Sequence, residues 1–372
     1  MPATADTGRG ETFYRRSDLG VLPTSLTTLL DDALALARIP APTFAERERV
    51  DWIERRLAGS PGTRRRDEVG NLLWTWGDAP PRLLLTAHVD TVFPAGTPLE
   101  IARTDGRLYG PGVGDNAAAI AVAISVLEEL HARSVLAPGA IAFTVAEEGM
   151  GNLRGAIAAC AALRPQAVIA LEGHGLDRVF VDAVGCVRAR IAVHGPGGHS
   201  WVERGRPSAI HALLELGRAL IAAGSPQAPV NIGVVSGGRS VNSIADTAQL
   251  VVEMRSLEEP PLDAFAALVA TLRAEPPLRY EVEELGRRPS GRLERASTLL
   301  RAVSEVRVEL GLPDLLDAGS TDANAALAVG IPALALGLAR GTGMHTLAES
   351  IDVASLELGC RQLELVLLRL LA

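Results

Sequence analysis

Five short stretches of this chain hold residues that bind divalent cations, and most of them close or follow an apolar run. They are His88-Val-Asp90, Asp115-Asn116, Glu147-Glu148-Gly149, Glu172-Gly173-His174 and the late His345. Singly, each has more than one reading. In an extended chain His88 and Asp90 point to the same side, so one can face a metal while the other orients it. A strand-end histidine bonded to a turn aspartate fits equally well. Asp115 reads first as the N-cap of the helix after it, and second as a carboxylate presented at a sheet edge. Glu147 and Glu148 are costly beside an apolar strand unless something positive meets them. Three successive strands ending in His-x-Asp, Glu-Glu and Glu are hard to assign to surface turns.

Collected together, two imidazoles and three carboxylates suit a pair of divalent borderline metals. Each ion would take one histidine and one terminal carboxylate, with one carboxylate bridging. Two ions about 3.5–4 Å apart hold a shared hydroxide and polarise a carbonyl. Glu147 directly precedes a candidate ligand and need not bind metal itself. It can take the proton of the water and pass it to a leaving amine.

The elements that must carry these residues follow an α/β pattern. Residues 1–22 read as a loose lead-in, and Thr24 or Ser25 as the cap of a helix reaching Arg38. Thr43-Phe-Ala-Glu46 has the form of a capping box opening a helix toward Leu57. Residues 72–76, 83–87, 140–146, 167–171 and 333–338 are apolar runs of strand length, as in a sheet covered on both faces. The carboxyl ends of such strands are where open α/β sheets bind ligands. Tyr109-Gly-Pro-Gly-Val-Gly-Asp115 matches a phosphate loop poorly, because a carboxylate sits where an anion would be repelled. A helix of small apolar residues follows over 117–131.

From Gly185 the texture changes. Half-exposed strands at 187–193, 230–235, 248–254 and 278–282, with helices over 207–222 and 262–273, give a βαββαβ order, the split ferredoxin-like pattern. Arg287-Arg-Pro-Ser-Gly291 closes it. The first texture then resumes, with helices over 296–310 and 353–371. The expected organisation is a discontinuous metal-binding catalytic domain, 1–184 and 291–372, around an inserted domain, 185–290. His131, His194 and His211 are expected to be structural, and His174 a turn residue between glycines.

Composition narrows the function classes. The chain of 372 residues is 48% hydrophobic and 22% charged, an ordinary globular balance with room for two domains. It contains no lysine, which excludes a lysine nucleophile, a Schiff base and a P-loop lysine. The formal net charge of -8, with no basic run beyond Arg64-Arg65-Arg66, argues against nucleic acid as a partner. Cys160, Cys186 and Cys360 are scattered, as reduced cytosolic thiols are. The polar N-terminus and the lack of an apolar run of about 18 residues give the expectation of a soluble, cytoplasmic protein away from membranes.

In this order, His88-Val-Asp90, Gly112-x-Gly-Asp115, Glu147-Glu148-Gly149, Glu172-Gly173 and His345, wrapped around a ferredoxin-like insertion, resemble the co-catalytic zinc metallopeptidases. That family includes tripeptidase T, glutamate carboxypeptidase, aminoacylase, acetylornithine deacetylase and succinyl-diaminopimelate desuccinylase. The resemblance runs from about Thr24 to Leu371. It implies a mixed, mostly parallel sheet with helices on both faces plus the inserted α+β domain. It also implies a di-zinc hydrolase (cobalt or manganese being the alternatives) acting on an amide of a small peptide or N-acyl amino acid.

Residue by residue, the resemblance implies that His88, Asp115 and Glu172 hold one metal, and Asp115, Glu148 and His345 the other. Asp90 would stand behind His88, and Glu147 would be the general acid/base acting on a metal-bridging hydroxide. In the insertion, His199 of Gly197-Gly-His199-Ser would stabilise the oxyanion, often from the neighbouring subunit of a homodimer built through that domain. Asn242 and Arg255 would contact substrate, as would Ser320 and Thr321 in Gly319-Ser-Thr-Asp322. Plain structural readings exist too: a turn residue for His199, a turn cap for Asn242, a strand-edge charge for Arg255. Asp115-Asn116-Ala117 departs from the family's usual Asp-Asp-Lys, while Glu-Glu-Gly-Met-Gly-Asn-Leu-Arg-Gly and Gly-Ser-Thr-Asp-Ala-Asn look closest to the tripeptidase-like branch. The lost acid and lysine favour a rival reading, a non-catalytic ligand-binding or assembly protein on the same fold. The retained base and full ligand set favour the enzyme.

Overall fold

A computed structural model describes residues 26–77 and 80–371. The lead-in over 1–22 and the cap at Thr24 or Ser25 lie outside the described residues; the first described helix is Leu26–Ala37. The main sheet runs in the order Thr63–Arg66, Leu72–Trp76, Gly139–Thr144, Leu83–His88, Ala167–Glu172, Ala333–Gly337, Arg178–Ala183, Gly291–Arg292, with Leu315–Gly319 also paired to Arg178–Ala183. The four strands from Gly139–Thr144 to Ala333–Gly337 are mutually parallel.

Alternation along these strands divides the core. Leu83, Leu85, Ile141, Phe143, Ile169 and Leu334 face one way, onto the helices Leu26–Ala37, Ala119–Ala132 and Val353–Leu371. Leu84, Ala140, Ala142, Val168 and Ala170 face the other way, onto Arg154–Leu163 and Ala323–Leu327. With both faces covered, Leu83–His88 and Gly139–Thr144 are buried throughout, which is why they read as unbroken apolar runs. The second face is rich in alanine. Parallel pairing also brings the strand ends level: His88 lies opposite Thr144, and Gly337 opposite Glu172.

A second sheet is antiparallel, in the order Val230–Gly237, Thr247–Ser256, Gly185–His194, Arg279–Arg288. Helices Ala209–Ala222 and Glu259–Ala270 pack on it around Ile191, Val193, Leu213, Leu250 and Phe265, a hydrophobic cluster separate from those of the main sheet. The chain leaves the main sheet at Ala183 and returns at Gly291, its antiparallel partner.

Two local expectations change. The last strand of the second sheet runs to Arg288, six residues beyond the apolar stretch that marked it, because Glu283 to Arg288 occupy an edge where polar residues pair as backbone. Thr43 does not cap the helix Arg47–Arg56. Its hydroxyl donates to Asp90 at 2.9 Å, while Glu46 accepts from the Phe44 and Ala146 amides at 2.8 and 3.0 Å. His131 packs against the rings of Trp74 and Trp76, and His194 lies 3.3 Å from Glu281. Among the described residues, no helix is long and apolar enough to cross a membrane.

All three cysteines are buried and unpaired. Burial pushes the Cys160 and Cys360 thiols up to about 12, so the reactive thiolate is scarce at neutral pH. The folded protein should leave Ellman's reagent unreacted over minutes, whereas the denatured chain should titrate three thiols. A fast-reacting thiol in the folded protein would contradict the burial described here.

Candidate metal centre

The level ends of the parallel strands gather one cluster. His88 and Glu172 are the last residues of their strands. His88 Nε2 lies 2.9 Å from Asp115 Oδ1 and 3.7 Å from Glu172 Oε2. His345 Nε2 lies 2.9 Å from Asp115 Oδ2 and 3.2 Å from Glu148 Oε1. Asp115 therefore shows one oxygen to each imidazole and does not act as a helix cap. Two groups that share Asp115, His88–Asp115–Glu172 and Asp115–Glu148–His345, each have donor atoms within 4.8 Å of one another, and His88, Glu147 and Glu148 form a third such group without Asp115. Three nitrogen or oxygen donors per group, with one shared carboxylate, fit two divalent ions that keep open positions for water or substrate.

The charges are strongly coupled. Burial would raise the Asp115 pKa, yet the contacts with His345 and His88 hold it far below the usual carboxylate range. The Asp115 and Glu148 carboxylates lift His345 to about 10. Burial opposes a charge on His88, but Asp115, Asp90 and Glu172 outweigh it and raise that imidazole well above its ordinary value. Burial lifts Glu147 well above the carboxylate range, against the nearby Arg288. Glu172 is also raised, again chiefly by burial.

Asp90 is fully buried behind the cluster. Its carboxylate accepts the amides of Glu147 and Glu148 at 3.0 and 2.9 Å, as well as the Thr43 hydroxyl. His88 Nδ1 meets the Asp90 carbonyl at 3.1 Å and its carboxylate only at 3.7 Å. The Asp90 carboxylate thus chiefly fixes the Glu147-Glu148 backbone, and its carbonyl orients His88. Asn116, which stands where the resemblance leads one to expect an acid, turns inward and donates to the Leu171 carbonyl at 2.9 Å. It ties the start of the helix to the strand that ends in Glu172, and neither donor group includes it.

Three participants escaped the sequence reading. Arg288 is buried against Glu147, donating to Oε1 at 3.0 Å and also to the Glu147 carbonyl and to Ser320 Oγ. Glu349 is fully buried and accepts the amides of Gly112, Gly114 and Asp115 at 2.7, 2.9 and 2.8 Å. His174, expected to be a turn residue, places Nε2 2.8 Å from Glu349 Oε1. The available signal for Arg288 was the need of a buried Glu147 for a cation; among 36 arginines it did not single one out.

The cluster lines a cleft of about 490 Å³ that Ser320 and Thr321 also border. His199, Asn242 and Arg255 do not line it. His199 is exposed in the short pairing of Gly198–His199 with Ser243–Ile244, where its ring accepts the Trp201 amide at 3.2 Å. Asn242 accepts the Ser240 hydroxyl, and Arg255 pairs with Glu253 at 3.0 Å.

Residues 84–369 match Peptidase family M20/M25/M40. The acetylornithine deacetylase of Edwardsiella ictaluri (strain 93-146) is 31% identical over 207 residues, 50% of this chain and 53% of that protein, so the chain spans about half the length of that relative. The fold is similar to aminopeptidase PepT from Bacillus cereus ATCC 10987, with a TM-score of 0.73 and 22% identity over 93% of this chain and 98% of that one. It is also similar to the YXEP protein of Bacillus subtilis, described as a dinuclear metal-binding peptidase of the M20 family (TM-score 0.64, 19% identity, 93% of this chain and 98% of that one).

Removing the support behind the cluster should be felt at the metals. Asp90→Ala is expected to weaken divalent-metal binding by about 10–100-fold, as other losses of outer partners do. Titration of the metal-stripped protein with zinc reads this directly. Wild-type affinity in the variant would show that the bonds to Glu147 and Glu148 are dispensable.

Proposed function

Because the chain belongs to peptidase family M20/M25/M40, we propose that it hydrolyses an amide bond of a small peptide or N-acyl amino acid with two divalent metal ions. One observation carries this reading: two donor groups share Asp115, and a buried carboxylate, Glu147, stands directly beside them. In this reading His88, Asp115 and Glu172 hold one ion, and Asp115, Glu148 and His345 the other. Zinc suits the nitrogen and oxygen donors best, with cobalt or manganese as alternatives. When bound, the ions supply Lewis acidity and lower the pKa of water.

The chain's own residues do the proton work. Glu147 takes the proton from the attacking water and delivers it to the leaving nitrogen. Arg288 fixes one Glu147 oxygen, which leaves the carboxylate a single orientation. Ser320 and Thr321 contact the substrate at the cleft wall. A cleft of about 490 Å³ has the size of small-ligand sites, which supports a small substrate over a folded one.

The segment 185–290 acts as a lid and dimerisation domain in the same reading. Val230–Gly237 is an edge strand on which Val234 and Val235 are exposed, and Trp201 is 71% exposed nearby in sequence to His199. An unpaired edge with apolar side chains is a surface that a second copy can cover. His199 then stabilises the oxyanion in the partner's cleft, and Asn242 and Arg255 reach the substrate. The unpaired cysteines favour a reducing compartment, and we read the protein as cytoplasmic.

Glu147→Ala is expected to retain two metals and lose turnover by about 10²–10⁴-fold on a panel of dipeptides, tripeptides and N-acyl amino acids. A fully metallated wild type that cleaves none of the panel would favour the non-catalytic binder. Mixing the Glu147→Ala and His199→Ala proteins should restore activity that neither has alone. A fully active monomer would remove the role of His199 in trans.

A further inference from the structure

The cleft continues past the metal cluster into a region with no role so far. Its apolar wall is Phe180 and Met344, with the fully buried Leu176 behind them. The Phe180 ring packs on bare backbone: an added Cβ would meet it at 3.1 Å from Gly175 and at 3.0 Å from Gly319. The charges at its mouth are paired with one another. Arg340 grips Asp177 at 2.7–3.0 Å, and Arg178 meets Asp317 at 2.5 Å. A charged substrate group entering here would have to share an arginine or carboxylate that already has a partner, whereas an apolar group buries directly against the Phe180 ring. We infer that Phe180 and Met344 form the subsite for an uncharged, apolar side chain or acyl group beside the scissile amide.

This inference rests on the hydrolase reading above, and the test separates the two. Matched substrates carry glycine, leucine, phenylalanine, aspartate or arginine on one side of the amide and then on the other. On one side, kcat/KM for leucine or phenylalanine should exceed that for glycine and for both charged residues by about tenfold or more. Phe180→Ala should reduce that preference while metal content stays the same. A charged residue preferred on both sides, no dependence on either side, or an unchanged preference in Phe180→Ala would overturn the subsite and leave the hydrolase standing. A metallated protein that cleaves no member overturns both.

A different set of contacts carries a second inference. The carboxylate of Glu349 is neither in the donor groups nor exposed, yet four donors converge on it: three loop amides and His174. Those donors lie in the segment leading to Asp115 and just after Glu172, and Glu349 itself lies four residues after His345. Glycines let the segments close up. A Cβ at Gly114 would collide with His174 Nε2 and stand 2.8 Å from Glu349 Oε1, and one at Gly341 would stand 2.5 Å from the His174 ring. We propose that Glu349 and His174 are positioning residues that hold three ligand-bearing segments in register for the metals.

Glu349→Gln exchanges one accepting oxygen for an amide group that faces backbone N–H donors. It should lower zinc affinity by about 10–100-fold and alter the visible absorption of the cobalt-loaded protein, with an unchanged far-ultraviolet circular dichroism spectrum. Gly114→Ala keeps the carboxylate and displaces the His174 ring, so it should shift the cobalt spectrum in the same direction. If Glu349→Gln does not fold, Gly114→Ala decides. Wild-type affinity and spectrum in a folded variant would overturn the proposal.

Discussion

Negative charge crowded at one sheet edge is the constraint around which this molecule is arranged. Asp90, Asp115, Glu147, Glu148 and Glu349 are all buried within the reach of a few residues of one another, with Glu172 half-buried beside them. Carboxylates held out of water repel one another and raise their own pKa values unless each finds a positive partner. The partners differ, and the difference sorts the acids by task. Asp90 and Glu349 are met chiefly by backbone amides, which hold position, with the Thr43 hydroxyl added at Asp90 and the His174 imidazole at Glu349. Asp115 and Glu148 are met by imidazoles, which can give up a proton to a cation. Glu147 is met by a guanidinium, which keeps its charge at any ordinary pH.

The parallel sheet makes that crowding possible. Four strands running the same way end at the same level, so every residue just past a strand end falls into a common rim. The antiparallel neighbour Arg178–Ala183 adds Arg178 and Phe180 to the cleft wall. Each loop off the rim then needs an anchor, and the anchors come from far along the chain: Thr43 to Asp90, Arg288 to Glu147, Glu349 to the loop before Asp115.

This division also explains what could be read from the sequence. His88, Glu148 and Glu172 were legible because each closes or follows an apolar run, a pattern contained within ten residues. Asp115 and His345 gained meaning only in the company of the others. Arg288 and Thr43 were not legible, because each has a sufficient local explanation, a boundary loop and a capping box, and Glu349 was not legible because no local pattern marks it. Their partners lie 141, 47 and 234 residues away. The strand Arg279–Arg288 was read short for a related reason, since an edge strand pairs through its backbone and leaves no apolar alternation to count. His199, Asn242 and Arg255 were found as motif positions, and a motif carries no information about how the sheet that bears it sits over the cleft.

The attachment of the segment between Ala183 and Gly291 has a consequence for how such a molecule diversifies. Ala183 and Gly291 face each other across paired strands, so the chain departs and returns at neighbouring points. A unit whose ends meet at that spacing is a cassette: exchanging it need not disturb the register of the sheet or the metal-bearing loops. Arg288 is the exception, because it belongs to the cassette and grips a carboxylate of the sheet. A replacement for the segment between Ala183 and Gly291 would therefore have to bring back one cation at the end of its last strand.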